Sequence, residues 1–239
     1  TILACAMLPF GGLISASAQD TKPTYVQLNP ADASPFNNGE FQGWGTALCW
    51  WANRLGYSEK LTNAAAEAFF SDKGLGLDIA RYNLGGGDDP THNHINRSDS
   101  KVPGVYSDYK LSSDGKDVES ITYDITKDQN QLNIAKAALK ANPDLYFEGF
   151  SNSAPYFMTK TGCTSGGGTV NSDGTVTSNG NLNNLNDDMY DDFAKFIADA
   201  TKLFKDNGIE VKSYSPMNEP DTDYWGYGSP KQEGCHFDP

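Results

Sequence analysis

Basic side chains are scarce in this sequence. The 239 residues contain 18 lysines and arginines against 31 aspartates and glutamates, which gives a formal net charge of −13 and an isoelectric point near 4.5. A chain this acidic repels phosphate backbones and anionic lipid head groups, and no local run of Lys or Arg offsets the charge. We therefore expect neither nucleic acid nor a membrane as a partner.

Cysteine is also rare, and no two cysteines have the Cys-x-x-Cys spacing of a zinc site. Cys49 lies in an apolar stretch and is expected to be a buried thiol. Cys163 and Cys235 lie in Gly-rich segments and are the better candidates for a disulfide in an exported protein. His92 and His94 lack a third histidine nearby, so a polar loop is favoured over a metal site, and no metal is expected.

Long apolar runs are absent as well. Residues 1–18 are uncharged and apolar, but Pro9 and two glycines interrupt them, so a transmembrane helix is the weaker interpretation. The segment ends in Ala16-Ser17-Ala18, which is typical of the cleavage site of a secretory signal peptide. We predict that residues 1–18 are part of a signal peptide, that residues 19–40 are a lead-in segment, and that the mature protein is secreted and extracellular.

Strand-like and helix-like stretches alternate along the rest of the chain. Predicted strands cover residues 41–51, 75–84, 145–150 and 209–217. Predicted helices cover residues 61–69, 131–140 and 189–204. This alternation predicts an α/β fold with a parallel sheet, since parallel strands need crossover connections.

Loop lengths distinguish between two parallel folds. Long polar segments follow the second and third predicted strands, whereas the returns after the helices are short. This asymmetry is typical of a (β/α)8 TIM barrel with an elaborated C-terminal face. A doubly wound sheet is the alternative, but no Gly-x-Gly-x-x-Gly follows the first predicted strand.

The fourth predicted strand ends in a turn that carries a carboxylate, Asn218-Glu219-Pro220. Residues at the C-terminal ends of barrel strands face the substrate pocket, and an Asn amide there can donate a hydrogen bond to a sugar hydroxyl. The alternative is an ordinary turn with Glu219 solvated. The position at a strand end favours the functional interpretation.

Five motifs carry a family resemblance. They are Gly43-Trp44-Gly45, Cys49-Trp50-Trp51, residues 80–86, residues 150–159 and Asn218-Glu219-Pro220. In this order they resemble glycoside hydrolase family 30, from about Phe41 to the end of the chain. Residues 153–163 and 221–237 are most similar to the endo-β-1,6-galactanase branch of that family.

The resemblance implies a monomeric, retaining glycoside hydrolase that acts on a β-linked galactan polysaccharide or oligosaccharide without a cofactor. Glu219 would be the general acid/base, and Asn218 would bind the 2-hydroxyl of the sugar under attack. Arg81 would hold the nucleophile and a sugar hydroxyl, or alternatively form a structural ion pair. Further candidates for sugar binding are Asp88, Asp89, Tyr156, Phe157 and Trp225. Phe157 and Tyr156 are rivals for stacking on the sugar.

The family takes its nucleophilic Glu from the seventh barrel strand, whereas four strands are predicted here. The resemblance therefore covers the N-terminal half only, with residues 41–239 forming half of a catalytic barrel truncated after about the fourth β/α unit. The gene product is expected to continue past Pro239 and to add an accessory β-sandwich.

Retaining hydrolysis needs two carboxyl groups about 5 Å apart, so the 239 residues alone are expected to be inactive. Two alternatives stay open. One is a glycosidase of the same family that acts on β-1,6-glucan, xylan or glucosylceramide, and the other is a non-catalytic carbohydrate-binding protein.

Overall fold

A computed structural model describes Gln27, Asn29 and residues 36–89, 94–95, 97, 99–229 and 231–238. The chain divides into two units, residues 1–41 and 42–239. In the first unit a 3-10 helix covers Phe36–Gly39. The predicted signal peptide and most of the predicted lead-in lie outside the described residues. Within the described part of the chain, no helix has the length and apolarity needed to cross a membrane.

The second unit is organised around a parallel sheet. The strands are β1 (Gly45–Ala47), β2 (Ile79–Leu84), β3 (Tyr106–Leu111), β4 (Val118–Tyr123), β5 (Tyr146–Ser151), β6 (Gly168–Val170), β7 (Val176–Ser178) and β8 (Val211–Ser215). Four of them form the parallel sheet in the order β1-β2-β5-β8. Their spatial order follows their order in the chain, whereas a doubly wound sheet reverses direction at a switch point. The sheet therefore matches part of an α/β barrel.

The three predicted helices are confirmed, with small changes at their ends, and a short helix that was not predicted precedes them. The helices are α1 (Trp51–Leu55), α2 (Glu59–Phe70), α3 (Gln129–Ala141) and α4 (Tyr190–Asp206). In α4, buried side chains recur every three to four residues, as one apolar face of a helix requires. Phe204 from this face lies 4.6 Å from the Tyr82 ring of β2, measured between ring centroids. The helices thus cover one face of the sheet.

The other face of the sheet carries charged side chains. Successive residues of a strand point to opposite faces. Ala80 and Tyr82 are fully buried on the helix side of β2, so Arg81 points to the opposite face. Arg81 is paired in register with Glu148 of β5, which points the same way. This is the face that would line the interior of a closed barrel.

The first strand is much shorter than the predicted 41–51. β1 ends at Ala47, and helix α1 begins at Trp51. The Trp51 indole N–H donates to the Ala47 carbonyl at 2.8 Å, and its ring packs 5.0 Å from Phe69. The apolar run therefore reflects a buried strand-to-helix turn. Cys49 lies in this turn and not in a strand, so its predicted strand placement is wrong. It is a free, half-buried thiol, and burial raises its pKa to about 11.

Two antiparallel hairpins fill the long polar segments after β2 and β5. The β3–β4 hairpin turns at Asp114-Gly115, and the β6–β7 hairpin turns at Asp173-Gly174. Both glycines have positive φ, at 72° and 82°. Asp-Gly between alternating residues is a known hairpin signal, so these strands could have been predicted from the sequence.

The predicted disulfide between Cys163 and Cys235 is not formed in the structure, where both are free and buried. The Cys163 sulfur lies 3.0 Å from the Ser165 hydroxyl, whereas the Cys235 thiol donates to the His236 carbonyl at 3.5 Å. Burial raises the pKa of Cys235 to about 11 and also raises the pKa of Cys163. Each thiol therefore has its own polar partner, and Cys235 stays protonated at neutral pH.

Candidate active site

Glu219 lies in the turn that follows β8. Its φ of 46° falls in the left-handed region, which residues other than glycine seldom adopt. The Glu219 carbonyl oxygen accepts from the Thr222 N–H at 3.3 Å, the Thr222 hydroxyl at 2.8 Å and the Trp225 indole N–H at 3.1 Å. These donors hold the unusual backbone conformation and leave the Glu219 side chain exposed. Asn218, next to it, is half-buried.

The Glu219 carboxylate accepts a hydrogen bond from the Tyr224 hydroxyl at Oε2. This hydrogen bond to Glu219 is the main cause that raises the pKa of Tyr224 above its ordinary value. Tyr224 is 55% exposed, and its ring meets Trp225 edge-on with centroids 4.5 Å apart. Tyr224 lies in the 221–237 stretch that resembles the galactanase branch, but its role was not predicted, because only the folded turn brings its hydroxyl to Glu219.

The buried Trp225 side chain supports the turn that carries Glu219. Its side chain is 7% exposed, although it was a sequence candidate for sugar binding. A Cβ on Gly234 would lie 2.1 Å from the Trp225 Cε3 atom, and a Cβ on Gly166 would lie 2.1 Å from the Trp225 carbonyl oxygen. Glycine is therefore needed at both neighbours, and Trp225 anchors the Glu219 backbone from a buried position.

Replacing Gly234 with Ala is expected to destabilise the protein by about 1–3 kcal/mol, because the added methyl group overpacks a buried site and displaces the Trp225 ring. Urea unfolding followed by tryptophan fluorescence measures this effect. Lys231→Ala, an exposed change in the same segment, is the control and should leave the unfolding midpoint unchanged. Equal midpoints for Gly234→Ala and the control would contradict the role given to this contact.

Arg81 forms an ion pair with Glu148, with 3.1 Å between Nη2 and Oε1. The Arg81 guanidinium also lies 5.0 Å from the centre of the Phe150 ring. Both charged side chains are partly exposed, at 39% and 25%. The structural ion pair that the sequence left open is therefore present. It still leaves part of the guanidinium accessible on the open face of the sheet.

The glycine turn after β2, residues 85–87, is held by hydrogen bonds to several of its backbone groups. The Gly86 N–H donates to Glu233 Oε2 at 3.1 Å, and the Gly86 carbonyl accepts from the Tyr106 hydroxyl at 2.7 Å. The Gly87 carbonyl accepts from the Thr164 hydroxyl at 2.9 Å. A Cβ on Gly86 would lie 2.6 Å from the Ala154 carbonyl oxygen. Segments from distant parts of the chain thus fix the position of the residue that follows, Asp88.

The Asp88 carboxylate already forms hydrogen bonds and ion pairs within the protein. Its side chain is 3% exposed, and its carboxylate contacts His94 Nδ1 at 2.9 Å, the His94 N–H at 3.2 Å and Lys101 Nζ at 3.3 Å. Asp89 is half-buried, and His92 lies outside the described residues. Among the side chains that the structure describes, no three His, Cys, Asp or Glu groups are arranged to hold a metal ion.

The two rival stacking residues differ in accessibility. Phe157 is 7% exposed, and Tyr109 stacks on its ring at 3.9 Å with an interplanar angle of 11°. Tyr156 is half-buried and lines a cleft of about 610 Å³, together with Asp88 and Tyr106. Because Tyr109 already covers the Phe157 ring, Tyr156 is the better placed of the two to meet a sugar.

Two buried carboxyl groups were missed by sequence reasoning. Glu233 is 1% exposed, and burial raises its pKa well above the ordinary value. Asp128 is also 1% exposed and accepts from the Asn53 amide at 2.8 Å, from the Tyr82 hydroxyl at 3.1 Å and from the Gln131 amide. Burial raises the pKa of Asp128 to about 7. Asp128 has no local sequence signal, and Glu233 lies in the 221–237 stretch that resembles the galactanase branch, where nothing local indicates its burial.

The sequence profile of O-glycosyl hydrolase family 30 matches residues 36–238. The chain belongs to this family. Membership in family 30 confirms the resemblance that the five motifs carry.

Two curated relatives are similar to this family 30 chain. An exo-β-1,6-galactobiohydrolase of Bifidobacterium longum subsp. longum is 30% identical over 277 residues, covering 94% of this chain and 17% of the relative. An endo-β-1,6-galactanase of Hypocrea rufa is 29% identical over 250 residues, covering 97% of this chain and 47% of the relative. The chain thus spans less than half the length of either relative.

A solved structure shares the fold. The conserved exported protein from Bacteroides fragilis superposes with a TM-score of 0.65 and 27% identity, covering 82% of this chain and 38% of that one. The parallel sheet and its helices therefore have a counterpart in an experimental structure.

Proposed function

We propose that this family 30 chain carries the acid/base part of a retaining glycoside hydrolase that acts on β-1,6-linked galactan. The observation that supports it most is Glu219 itself, an exposed carboxylate on a fixed turn after the fourth parallel strand. The names of the two curated relatives, both enzymes of β-1,6-galactan chemistry, support the choice of sugar.

In the proposed mechanism Glu219 protonates the departing glycosidic oxygen while a second carboxylate attacks the anomeric carbon. Glu219 then removes a proton from the water that releases the covalently bound sugar. Asn218 donates to the 2-hydroxyl, Arg81 orients the attacking carboxylate, and Tyr156 stacks on a sugar ring. Asp89, which is half-buried, is a further candidate for a sugar hydroxyl, whereas the Asp88 carboxylate is taken up by His94 and Lys101.

The second carboxylate is proposed to come from sequence outside these 239 residues. By family resemblance it belongs to a seventh barrel strand, whereas the parallel sheet described here has four strands. The place of action is proposed to be extracellular, because residues 1–18 have the pattern of a secretory leader.

We expect the 239 residues alone to release no sugar, and the complete gene product to degrade β-1,6-galactan faster than β-1,6-glucan, xylan or glucosylceramide. Reducing-end release from the panel of substrates measures both expectations. Turnover of galactan by the 239 residues alone would contradict the proposal that the second carboxylate comes from outside them. Preference of the complete protein for another substrate would contradict the choice of sugar, and binding without turnover would support the carbohydrate-binding alternative.

A further inference from the structure

The Tyr224 hydroxyl contacts the carboxylate of Glu219. We propose that Tyr224 is a positioning residue for the acid/base, which it holds at Oε2 so that Oε1 exchanges the proton with the glycosidic oxygen. This inference rests on the proposed function. It goes further because it assigns the two oxygens of Glu219 different tasks.

The position of the Tyr224 hydroxyl is set by its neighbours in the chain. Thr222 is bonded to the Glu219 carbonyl through both its N–H and its hydroxyl. Trp225 donates to the same carbonyl and is buried against Gly166 and Gly234. The Tyr224 backbone is thus held on both sides. Its phenol has only two rotatable side-chain bonds, so the hydroxyl reaches Glu219 at little cost in conformational entropy.

An exposed glutamate would otherwise sample several staggered rotamers, most of which point its carboxyl group away from a bound substrate. A hydrogen bond from the Tyr224 hydroxyl selects one of them. The phenol is a donor at neutral pH, and the Glu219 oxygen that accepts its hydrogen is less available to carry a proton. When Glu219 is protonated, the proton therefore resides on Oε1, and the Tyr224 bond to Oε2 is kept.

The same bond acts on the charge that develops during the reaction. As the proton leaves Oε1 for the glycosidic oxygen, negative charge spreads over both carboxylate oxygens, and a hydrogen bond to the charged form favours that form. Tyr224 should therefore assist the step in which protonation of the leaving group matters. It should matter little where the leaving group departs without a proton.

The test is kcat/KM of the complete gene product on galactosides whose leaving groups differ in basicity, because kcat/KM reports the step that forms the covalent intermediate. We expect Tyr224→Phe to lower kcat/KM by about 10-fold to 100-fold on a β-1,6-linked galactose dimer, within the range of general acid catalysis. On a dinitrophenyl galactoside, which needs no proton, the expected change is less than about 3-fold on the same grounds. Tyr57→Phe, at an exposed tyrosine outside the turn, is the control and should match the wild type on both substrates.

The outcomes separate this inference from the proposed function. A loss of equal size on both substrates, or no loss on either, would overturn the role of Tyr224. Glu219→Gln is measured in parallel. If it fails to show a loss that depends on the leaving group, the acid/base assignment itself fails. If it shows one and Tyr224→Phe does not, only the positioning role fails.

A spectroscopic measurement on the 239-residue chain needs no catalysis. Tyrosine labelled with ¹³C at Cζ reports ionisation of each phenol by NMR, and Tyr224→Phe assigns the signal. We expect Glu219→Gln to bring the raised pKa of Tyr224 back toward its ordinary value, because the carboxylate that holds the phenolic proton is gone. An unchanged titration of Tyr224 in Glu219→Gln would mean that the bond is not formed.

Discussion

Glu219→Gln in the complete gene product is expected to lower kcat on β-1,6-galactan by about 10²-fold to 10⁴-fold, the range associated with loss of a general acid/base. The amide has nearly the size and shape of the carboxyl group, but it can neither donate a proton to the leaving oxygen nor accept one from water. The Glu219 side chain is exposed and its backbone carbonyl is unaltered, so the turn held by Thr222 and Trp225 should persist. KM should therefore change much less than kcat.

The matched control is Glu210→Gln, at an exposed glutamate just before β8. It removes the same charge at the opposite end of β8 without touching the turn, and it should retain wild-type kinetics. A Glu219→Gln enzyme within about tenfold of the wild type in kcat would rule out the acid/base role, given the usual size of this effect. Circular dichroism of both variants checks that any loss is not due to unfolding.

Asp128→Asn is expected to make the stability depend clearly less on pH between about pH 4 and pH 7, because it removes one of the two buried carboxyl groups, Asp128 and Glu233, that bind a proton more tightly in the folded state. The folded-state pKa of Asp128 is raised from 3.8 to about 7, mainly by burial, so the folded state binds this proton more tightly than the unfolded state. The free energy of unfolding therefore falls as pH rises through this window. The difference in proton affinity between the folded and unfolded states corresponds to about 4 kcal/mol of stability. Asn cannot ionise, so the variant should not lose this stability.

Urea unfolding of the wild type and of Asp128→Asn at several pH values between 4 and 7 measures the effect. Asp144→Asn, at an exposed aspartate just beyond α3, is the control and should keep the wild-type pH dependence. Glu233 has a pKa raised in the same direction, so a residual slope in Asp128→Asn should disappear on adding Glu233→Gln. A wild-type slope in the Asp128→Asn variant would show that this carboxyl group does not hold its proton in the folded state.

Local patterns in the sequence were sufficient to predict the three long helices and the order of the strands in the parallel sheet. The buried face of α4 repeats at the helical period, and the strands of the parallel sheet fall between predicted helices. The five motifs, of which Asn218-Glu219-Pro220 is the last, were sufficient to identify the family. These features were accessible because each is encoded by residues close together in the chain. The hairpin turns at Asp114-Gly115 and Asp173-Gly174 were also encoded locally, although they were not predicted.

Only the tertiary structure decided which side chains meet. Sheet register places Arg81 beside Glu148, and packing of the β3–β4 hairpin covers Phe157 with Tyr109 while leaving Tyr156 accessible. Contacts between residues far apart in the chain also bury Asp128 and bring Glu233 to the glycine turn. Even Tyr224, five residues from Glu219, reaches it only because a backbone turn with positive φ folds the chain back. Composition and periodicity do not encode these contacts, since the geometry of the contacts exists only after the chain has packed.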